Sequence, residues 1–239
     1  AALDASFPLA DLMVVQGPDA LIGAQALFSP ERKIAGELDA SPDEAANALA
    51  ARKPGRFELR ARGQTLGVFI DVILPAPTIV MVGGVHTAVA LSSLARTLGY
   101  RTVIVDPRGV FGSPDRFPQV DLLLQSWPQD AFSRFELTPE TAVCVLTHDP
   151  KIDDEALKIA LNGPAFYVGA LGSRKTQDSR RDRLRQAGVT EDQLMRLHGP
   201  IGLDIGAGTP EEIALSIMAE IVAARHNERQ AAPAGEDFS

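Results

Sequence analysis

Hydrophobic and polar positions change their rhythm near residue 75. Before that point, short apolar stretches such as Leu12 to Val15 and Phe57 to Arg60 read as strands. They surround one helix that opens at Ser41-Pro42-Asp43-Glu44, where a serine cap, a first-turn proline and a glutamate three residues on satisfy exposed amides and suit the helix dipole. Gly67 to Leu74 reads as a last strand, and Pro75-Ala76-Pro77 breaks both helix and strand pairing, so a domain boundary is expected there.

From Thr78 onward, apolar runs of strand length alternate with helical segments, the pattern of parallel βαβ units buried on both faces. Strands are predicted at Ile79 to Val82, Thr102 to Val105, Leu122 to Leu124, Val143 to Leu146, Phe166 to Val168 and Ile201 to Ile205. Between the first two, Ala88, Leu91, Ala95 and Leu98 recur at helical spacing and Gly99 stands where a C-terminal cap belongs. Thr209-Pro210-Glu211-Glu212 is a capping box ahead of Ile213, Ile217 and Ile221 on one helix face. From Glu228 the chain turns small and polar, and a frayed tail is expected over 228–239. The predicted fold class is α/β: a Rossmann-like doubly wound parallel sheet over 78–227, preceded by a small α+β domain over 1–74.

A length of 239 residues suits one full α/β domain with a smaller module. A composition of 45% hydrophobic and 23% charged residues sustains a buried core. The net charge of −8 argues against a nucleic-acid partner, which needs a basic footprint. A single cysteine, Cys144, excludes an intrachain disulfide and a multi-cysteine zinc site, and fits a reducing, cytoplasmic compartment. No apolar run approaches the roughly 20 residues of a membrane-spanning helix, and the first residues lack a basic start followed by an apolar stretch. No membrane association is expected.

Ligands of doubly wound sheets bind outside the carboxyl ends of the strands. The predicted strands are followed by Gly83-Gly84-Val85-His86, Asp106-Pro107-Arg108, Thr147-His148-Asp149, Gly169-Ala170-Leu171-Gly172-Ser173 and Gly206-Ala207-Gly208-Thr209. Gly83 to Ala88 follows a strand and opens a helix whose amides can cradle a phosphate. Val85, however, stands where a dinucleotide fingerprint has its second glycine, and its branched side chain crowds a diphosphate. Asp106 occupies the place of an acid that receives ribose hydroxyls, so two readings stand: a dinucleotide turn, or a tight turn with a capping aspartate.

His148-Asp149-Pro150-Lys151-Ile152-Asp153-Asp154 offers an imidazole and three carboxylates, either for a polar ring or for capping the next helix. One histidine among aspartates is too little for a metal site, and none is assigned. Gly169 to Ser173 leads into a basic helix, of which Arg174 and Lys175 lie nearest the glycine turn; Arg180, Arg181, Arg183 and Arg185 read as a solvated, salt-bridged face. Gly206 to Thr209 offers a second anion nest or a plain helix cap. Cys144, between Val143 and Val145, reads as a small buried hydrophobe. No hydrolase elbow, P-loop or paired-histidine motif is present, and no catalytic residue is assigned.

These segments, from Thr78 to Arg225, resemble the XdhC/CoxI family of accessory proteins for xanthine and carbon monoxide dehydrogenases. The resemblance rests on Val82-Gly83-Gly84-Val85-His86-Thr87-Ala88, Val105-Asp106-Pro107-Arg108, Leu146-Thr147-His148-Asp149-Pro150-Lys151-Ile152-Asp153-Asp154, Ala165 through Arg174, and His198-Gly199-Pro200-Ile201-Gly202-Leu203-Asp204-Ile205-Gly206-Ala207. It implies a chaperone, without turnover of its own, that binds the molybdopterin form of the molybdenum cofactor, assists its sulfuration and inserts it into a molybdenum hydroxylase. It carries cofactor binding onto Gly83, Gly84, His86, Asp106, Arg108, His148, Asp149, Asp153, Gly169, Gly172, Ser173, Arg174, Asp204, Gly206 and Thr209. The partners it implies are the client hydroxylase and a cysteine desulfurase, with the chain as a homodimer or paired with a related subunit. Two departures stand out. The cysteine-bearing segments of the family's first module correspond here to Gly36-Glu37-Leu38-Asp39-Ala40 and Gln64-Thr65-Leu66-Gly67, without a cysteine, and Val85 replaces a common glycine. An NAD(P)-dependent oxidoreductase using Asp106 with His86 or His148, and a degenerate partner subunit, are the competing readings.

Overall fold

A computed structural model describes residues 7–40, 42–52, 54–61 and 63–231. The chain divides into two compact units, one of Ala1–Pro75 together with Asn227–Ser239, the other of Ala76–His226. The first is built on a five-stranded antiparallel sheet of β1 (Leu9–Gln16), β2 (Gln25–Phe28), β3 (Lys33–Gly36), β4 (Gly55–Ala61) and β5 (Gln64–Ile73), in the order β3-β2-β1-β5-β4. One helix, α1 (Pro42–Ala51), buries Ala45, Ala48 and Leu49 in the same core as Leu12, Val14, Leu66, Val68 and Ile70. The alternation along β1 and β5 explains why one face of this sheet is dry. The capping serine expected at position 41 lies outside the described residues.

The second unit carries six parallel strands: β6 (Thr78–Val82), β7 (Arg101–Val105), β8 (Leu122–Leu124), β9 (Thr141–Val145), β10 (Tyr167–Ala170) and β11 (Leu197–His198). Their order, β11-β10-β9-β6-β7-β8, is that of a doubly wound Rossmann sheet. β6 and β9 are buried at every position, as central strands covered on both faces must be. The helices are α2 (His86–Thr97), α3 (Pro128–Arg134), α4 (Pro150–Asn162), α5 (Arg174–Gln186), α6 (Glu191–Met195) and α7 (Pro210–Ala231). Separate apolar clusters fill the two faces of the sheet: Ile152, Leu157 and Leu161 of α4 on one, Leu91 of α2 with Ile217 and Ile221 of α7 on the other.

Three expectations are corrected. The strand expected at Ile201 to Ile205 is a loop, and the sixth strand is Leu197–His198 instead. Ile201 still donates its N–H to Ala170 O (3.0 Å), but Gly202 then turns into the left-handed region (φ +94°) and Ile205 N–H folds back to Leu203 O (3.0 Å), so the apolar run leaves the sheet after one bond. Leu98 ends α2 as its C-cap with 53% exposure rather than extending the buried stripe; Gly99 follows at φ +78°. The final helix persists to Ala231, past the expected start of fraying at Glu228, and the residues beyond lie outside the described part.

Candidate functional site

β6 pairs with β7 on one side and β9 on the other, so the chain winds outward in both directions from this pair. The carboxyl ends of β6 and β9 flank the topological switch point, where an open sheet leaves its crevice. The loops expected to carry chemistry converge on it, and they differ sharply in what their polar groups are free to do.

On the β6–β7 side, the groups bond to one another. Gly84 N–H donates to Asp106 Oδ2 (2.8 Å), and Arg108 donates to the same carboxylate through its backbone N–H (2.9 Å), Nε (2.9 Å) and Nη2 (2.8 Å). A carboxylate has about four acceptor sites, and four donors fill them. Burial pushes the Asp106 carboxyl up, but the Arg108 fork and the two backbone N–H groups outweigh it and hold it below the usual aspartate range. Asp106 is fully buried, so a ribose hydroxyl has neither access nor a free lone pair. The glycines are filled as well. A Cβ on Gly84 would stand 2.2 Å from Phe111 O, and one on Gly83, at φ +110°, would stand 2.4 Å from Thr147 Cγ2. These glycines admit the protein's own chain, with Gly83 N–H spent on Val105 O (2.9 Å). Arg108 lies over the Phe111 ring at 4.3 Å, and Val85 caps α2 with no side-chain bond, leaving His86 exposed at its first turn.

On the β9–β10 side, a buried core of polar groups supports an open rim. Thr147 donates its hydroxyl to Asp153 Oδ1, and Arg180 Nη2 donates to Asp153 Oδ2 (2.9 Å). Arg180 Nη1 donates to Gln177 Oε1 (2.7 Å) and Leu171 O (3.1 Å), and Gln177 Nε2 reaches Ala170 O (2.9 Å). Asp153 and Arg180 are each 1% exposed. Burial pushes the Asp153 carboxyl up, against the pull of Thr147 and Arg180. Asp153 is thus an internal anchor, and Arg180 is no part of a solvated face. Arg183 pairs with Asp154, and Arg185 with Asp182 and Glu191, as the surface reading expects.

Above this anchor stand exposed His148, half-buried Asp149, which caps α4 by accepting from Lys151 N–H (3.0 Å), and exposed Ser173, Arg174 and Lys175. Ser173 caps α5, accepting from Thr176 N–H (3.3 Å). His148 joins two concavities. One is lined by Val85, Arg108, Phe111 and Asp149, the other by Pro150, Lys175, Thr176, Ser179 and Arg183. Asp149 and Arg108 face each other closely enough for the aspartate to add to the rise of the Arg108 pKa, which the Asp106 hydrogen bond leads.

The remaining loop, 199–209, is tied at both ends. Glu220 of α7 accepts from Tyr167 OH and from Gly202 N–H (2.8 Å) through Oε2, and its Oε1 meets His198 Nδ1 at 3.1 Å. Burial pushes the Glu220 carboxyl up, but these donors pull it below its usual range. At the other end Glu212 Oε2 accepts the N–H groups of Gly208 (2.8 Å) and Thr209 (3.0 Å), while Thr209 Oγ1 accepts from Glu212 N–H (3.2 Å). The capping box therefore takes the Gly208 and Thr209 amides of the expected second anion nest. Asp204 and Gly206 lie exposed between these ties.

Of the residues expected to bind, His86, Arg108, His148, Asp149, Ser173, Arg174 and Asp204 keep exposed or half-buried side chains; Asp106 and Asp153 are buried and committed. Gly169 is held by packing, since a Cβ there would meet Ile201 at 2.6 Å and Tyr167 OH at 2.7 Å; Gly172, at φ +135°, closes on Thr176. Sequence reasoning passed over Gln177 and Glu220. Gln177, Arg180 and Leu184 share the buried face of α5 at helical spacing, yet two of the three are polar, so no apolar stripe marks them. Cys144 is buried, and burial pushes its thiol up, away from the reactive thiolate. Among the described residues no group of three or more His, Cys, Asp or Glu side chains is arranged to hold a metal ion. No described helix is long and apolar enough to cross a membrane.

Comparison with known proteins identifies the unit that carries this crevice. Residues 79–221 match the model of the XdhC Rossmann domain. The chain belongs to the XdhC family. Relatives of this XdhC chain include the uncharacterized protein YqeB of Escherichia coli, 31% identical over 227 residues that make up 90% of the chain and 40% of YqeB. In Bacillus subtilis, a protein named as a probable xanthine dehydrogenase subunit is 32% identical across 68% of the chain and 47% of its own length. The molybdenum cofactor insertion chaperone PaoD of E. coli is 27% identical across 70% and 46%. The XdhC chain thus spans less than half the length of these curated relatives. A crystal structure of a Bacillus halodurans protein described as a xanthine dehydrogenase shares the fold, with a TM-score of 0.59, 18% identity and coverage of 95% of this chain and 94% of that one.

Proposed function

We propose that this XdhC-family chain serves in the maturation of a molybdenum hydroxylase, binding the molybdopterin cofactor in the crevice between the ends of β6 and β9. The observation that carries this reading is the occupation of the dinucleotide contacts by the protein itself. With Asp106 saturated and Gly84 closed by Phe111, the crevice keeps its Rossmann position but not the ribose and pyrophosphate partners. What stays open is an imidazole, a carboxylate and several cations, suited to the polar edge of a pterin and to its phosphate. His148, Asp149, Arg108 and Asp204 would hold the ring system, and the cofactor when bound supplies the molybdenum chemistry of the client enzyme. The kinship with a named molybdenum cofactor insertion chaperone supports the same reading.

Sulfuration assistance, a cysteine desulfurase and a hydroxylase client as partners, assembly as a homodimer or with a related subunit, and a cytoplasmic setting complete the proposal. With no cysteine in the first unit and Cys144 buried in β9, a thiol contact to molybdenum does not come from these 239 residues. Equilibrium binding of freshly released molybdopterin cofactor to the purified chain, with nicotinamide dinucleotides in parallel, tests it. Micromolar or tighter cofactor binding is expected; dinucleotide binding alone would establish the oxidoreductase reading, and binding of neither would leave a partner-subunit role.

A further inference from the structure

The cavity of about 380 Å³ between the start of α4 and the first turns of α5 shares only His148 with the ring recognition just described. Its lining includes His148, Lys175, Thr176, Ser179, Arg180 and Arg183. Arg180 and Arg183 are balanced by Asp153 and Asp154, which leaves the Lys175 ammonium uncompensated: neither it nor His148 has a hydrogen-bond or ion-pair partner among the described residues. Thr176 and Ser179 place hydroxyls one turn apart on the same helix; Thr176 Oγ1 shares a hydrogen bond with Ser173 Oγ (3.0 Å) and Ser179 Oγ–H reaches Lys175 O only at 3.4 Å, so each can rotate toward a stronger acceptor. In the wall lies a second, independent sign. The Arg180 side chain is 2% exposed and three of its contacts are made, yet its Nε–H is buried with no acceptor. Buried donors without partners cost about 1–3 kcal/mol and are rare in folded chains.

We infer that this cavity is an oxyanion site for a phosphomonoester, so that the anionic end of the ligand lies at α5 and not at the glycine turn after β6. A tetrahedral oxyanion seated there meets Lys175 and the two hydroxyls beside the Arg180 guanidinium, whose positive charge and acceptor-less Nε–H favour an anion at this wall. The glycine turn cannot compete: Gly83 and Gly84 have given their N–H groups to Val105 and Asp106, and the space over Gly84 is taken by Phe111. The phosphate position thereby lies in the second half of the doubly wound sheet, after β10, and not in the first, after β6. Identification of that phosphate with the one on molybdopterin rests on the function proposed above; the site itself does not.

The full chain, labelled with ¹⁵N, is titrated with inorganic phosphate at constant ionic strength against a chloride control. Saturable shifts at the amides of Lys175, Thr176 and Ser179 are expected, weakened about tenfold in Lys175→Ala and in Ser179→Ala, both exposed positions whose folding is checked by the unchanged remainder of the spectrum. Saturable shifts confined to Gly83 through Thr87, or no saturation anywhere, would overturn the site. In a second arm, molybdopterin cofactor is compared before and after enzymatic removal of its phosphate. At least a tenfold loss is expected for the wild-type chain and none beyond it for Lys175→Ala. Equal binding of both forms would overturn the link to the cofactor, while phosphate binding without cofactor binding would defeat the proposed function and leave the site standing.

Discussion

The two flanks of the switch point are made of similar residues and behave differently. After β6 and β7 stand two glycines, an aspartate and an arginine; after β9 and β10 stand a histidine, aspartates, glycines and a basic helix. On the first flank every acceptor site of the buried carboxylate is used, and the glycines make room for neighbouring backbone. On the second, one buried ion pair holds the rim in place, and on that rim His148 and the Lys175 ammonium have no side-chain partner among the described residues. Residue type alone does not separate an architectural turn from a recognition site. Which polar groups remain unsatisfied does, because a buried group without a partner is tolerated only where something else repays it.

That contrast can be broken experimentally, starting with the buried pair. Asp153→Ala leaves Arg180 charged and unpaired in the interior, and a loss of about 3–5 kcal/mol in urea unfolding is expected. The double change Asp153→Leu with Arg180→Met is expected to recover most of it, and a double as unstable as the single would show that the anchor depends on more than charge pairing. Next comes Asp106→Asn, with an expected cost of about 1.5–3 kcal/mol at neutral pH from the charge-assisted bonds. Because folding lowers this carboxyl's pKa from 3.8, its contribution is fully present above that value and fades as the pH falls through the native one, so the gap between wild type and variant narrows in acid. A gap that stays constant down to acid unfolding would contradict the assignment.

Gly84→Ala is expected to cost about 1–3 kcal/mol by pushing its methyl group against Phe111 O, and the 107–112 loop should show faster amide exchange. The smallest stability effect belongs to the open flank. His148→Ala is expected to leave the thermal midpoint nearly unchanged while weakening cofactor binding about tenfold, roughly 1.4 kcal/mol. A large drop in the midpoint would assign His148 to the architecture and erase the contrast between the flanks.

Much of the frame was legible in the chain. The unbroken apolar runs at 79–82 and 143–146 signal central strands, and the Thr209 capping box marks a helix start to the residue. The Ile201–Ile205 run misled because an apolar alternation says nothing of a glycine held at positive φ in its middle. The convergence of loops at the strand ends was legible from topology. The roles within it were not, since Asp106 and Asp149 look alike in sequence and differ only in how many donors reach them in three dimensions. Arg180 was hidden for a related reason: its partner Asp153 lies 27 positions away on another helix, so its charge reads as a surface charge.

The loop that carries Asp204 has a thermodynamic consequence. Its entry is pinned by Ile201 N–H on Ala170 O, by Gly202 N–H on Glu220 and by Leu203 N–H on Ser216 O; its exit is pinned by the Glu212 carboxylate. Only the span from Asp204 to Ala207 lies between these fastenings, and Ile205 within it is already bonded to Leu203 O. Fixing one residue's backbone costs about 1–2 kcal/mol of conformational entropy, so a loop with most of its length already fastened surrenders little freedom when a ligand settles against it. The entropy has been lost during folding, and a guest that touches Asp204 keeps nearly all of the interaction it makes.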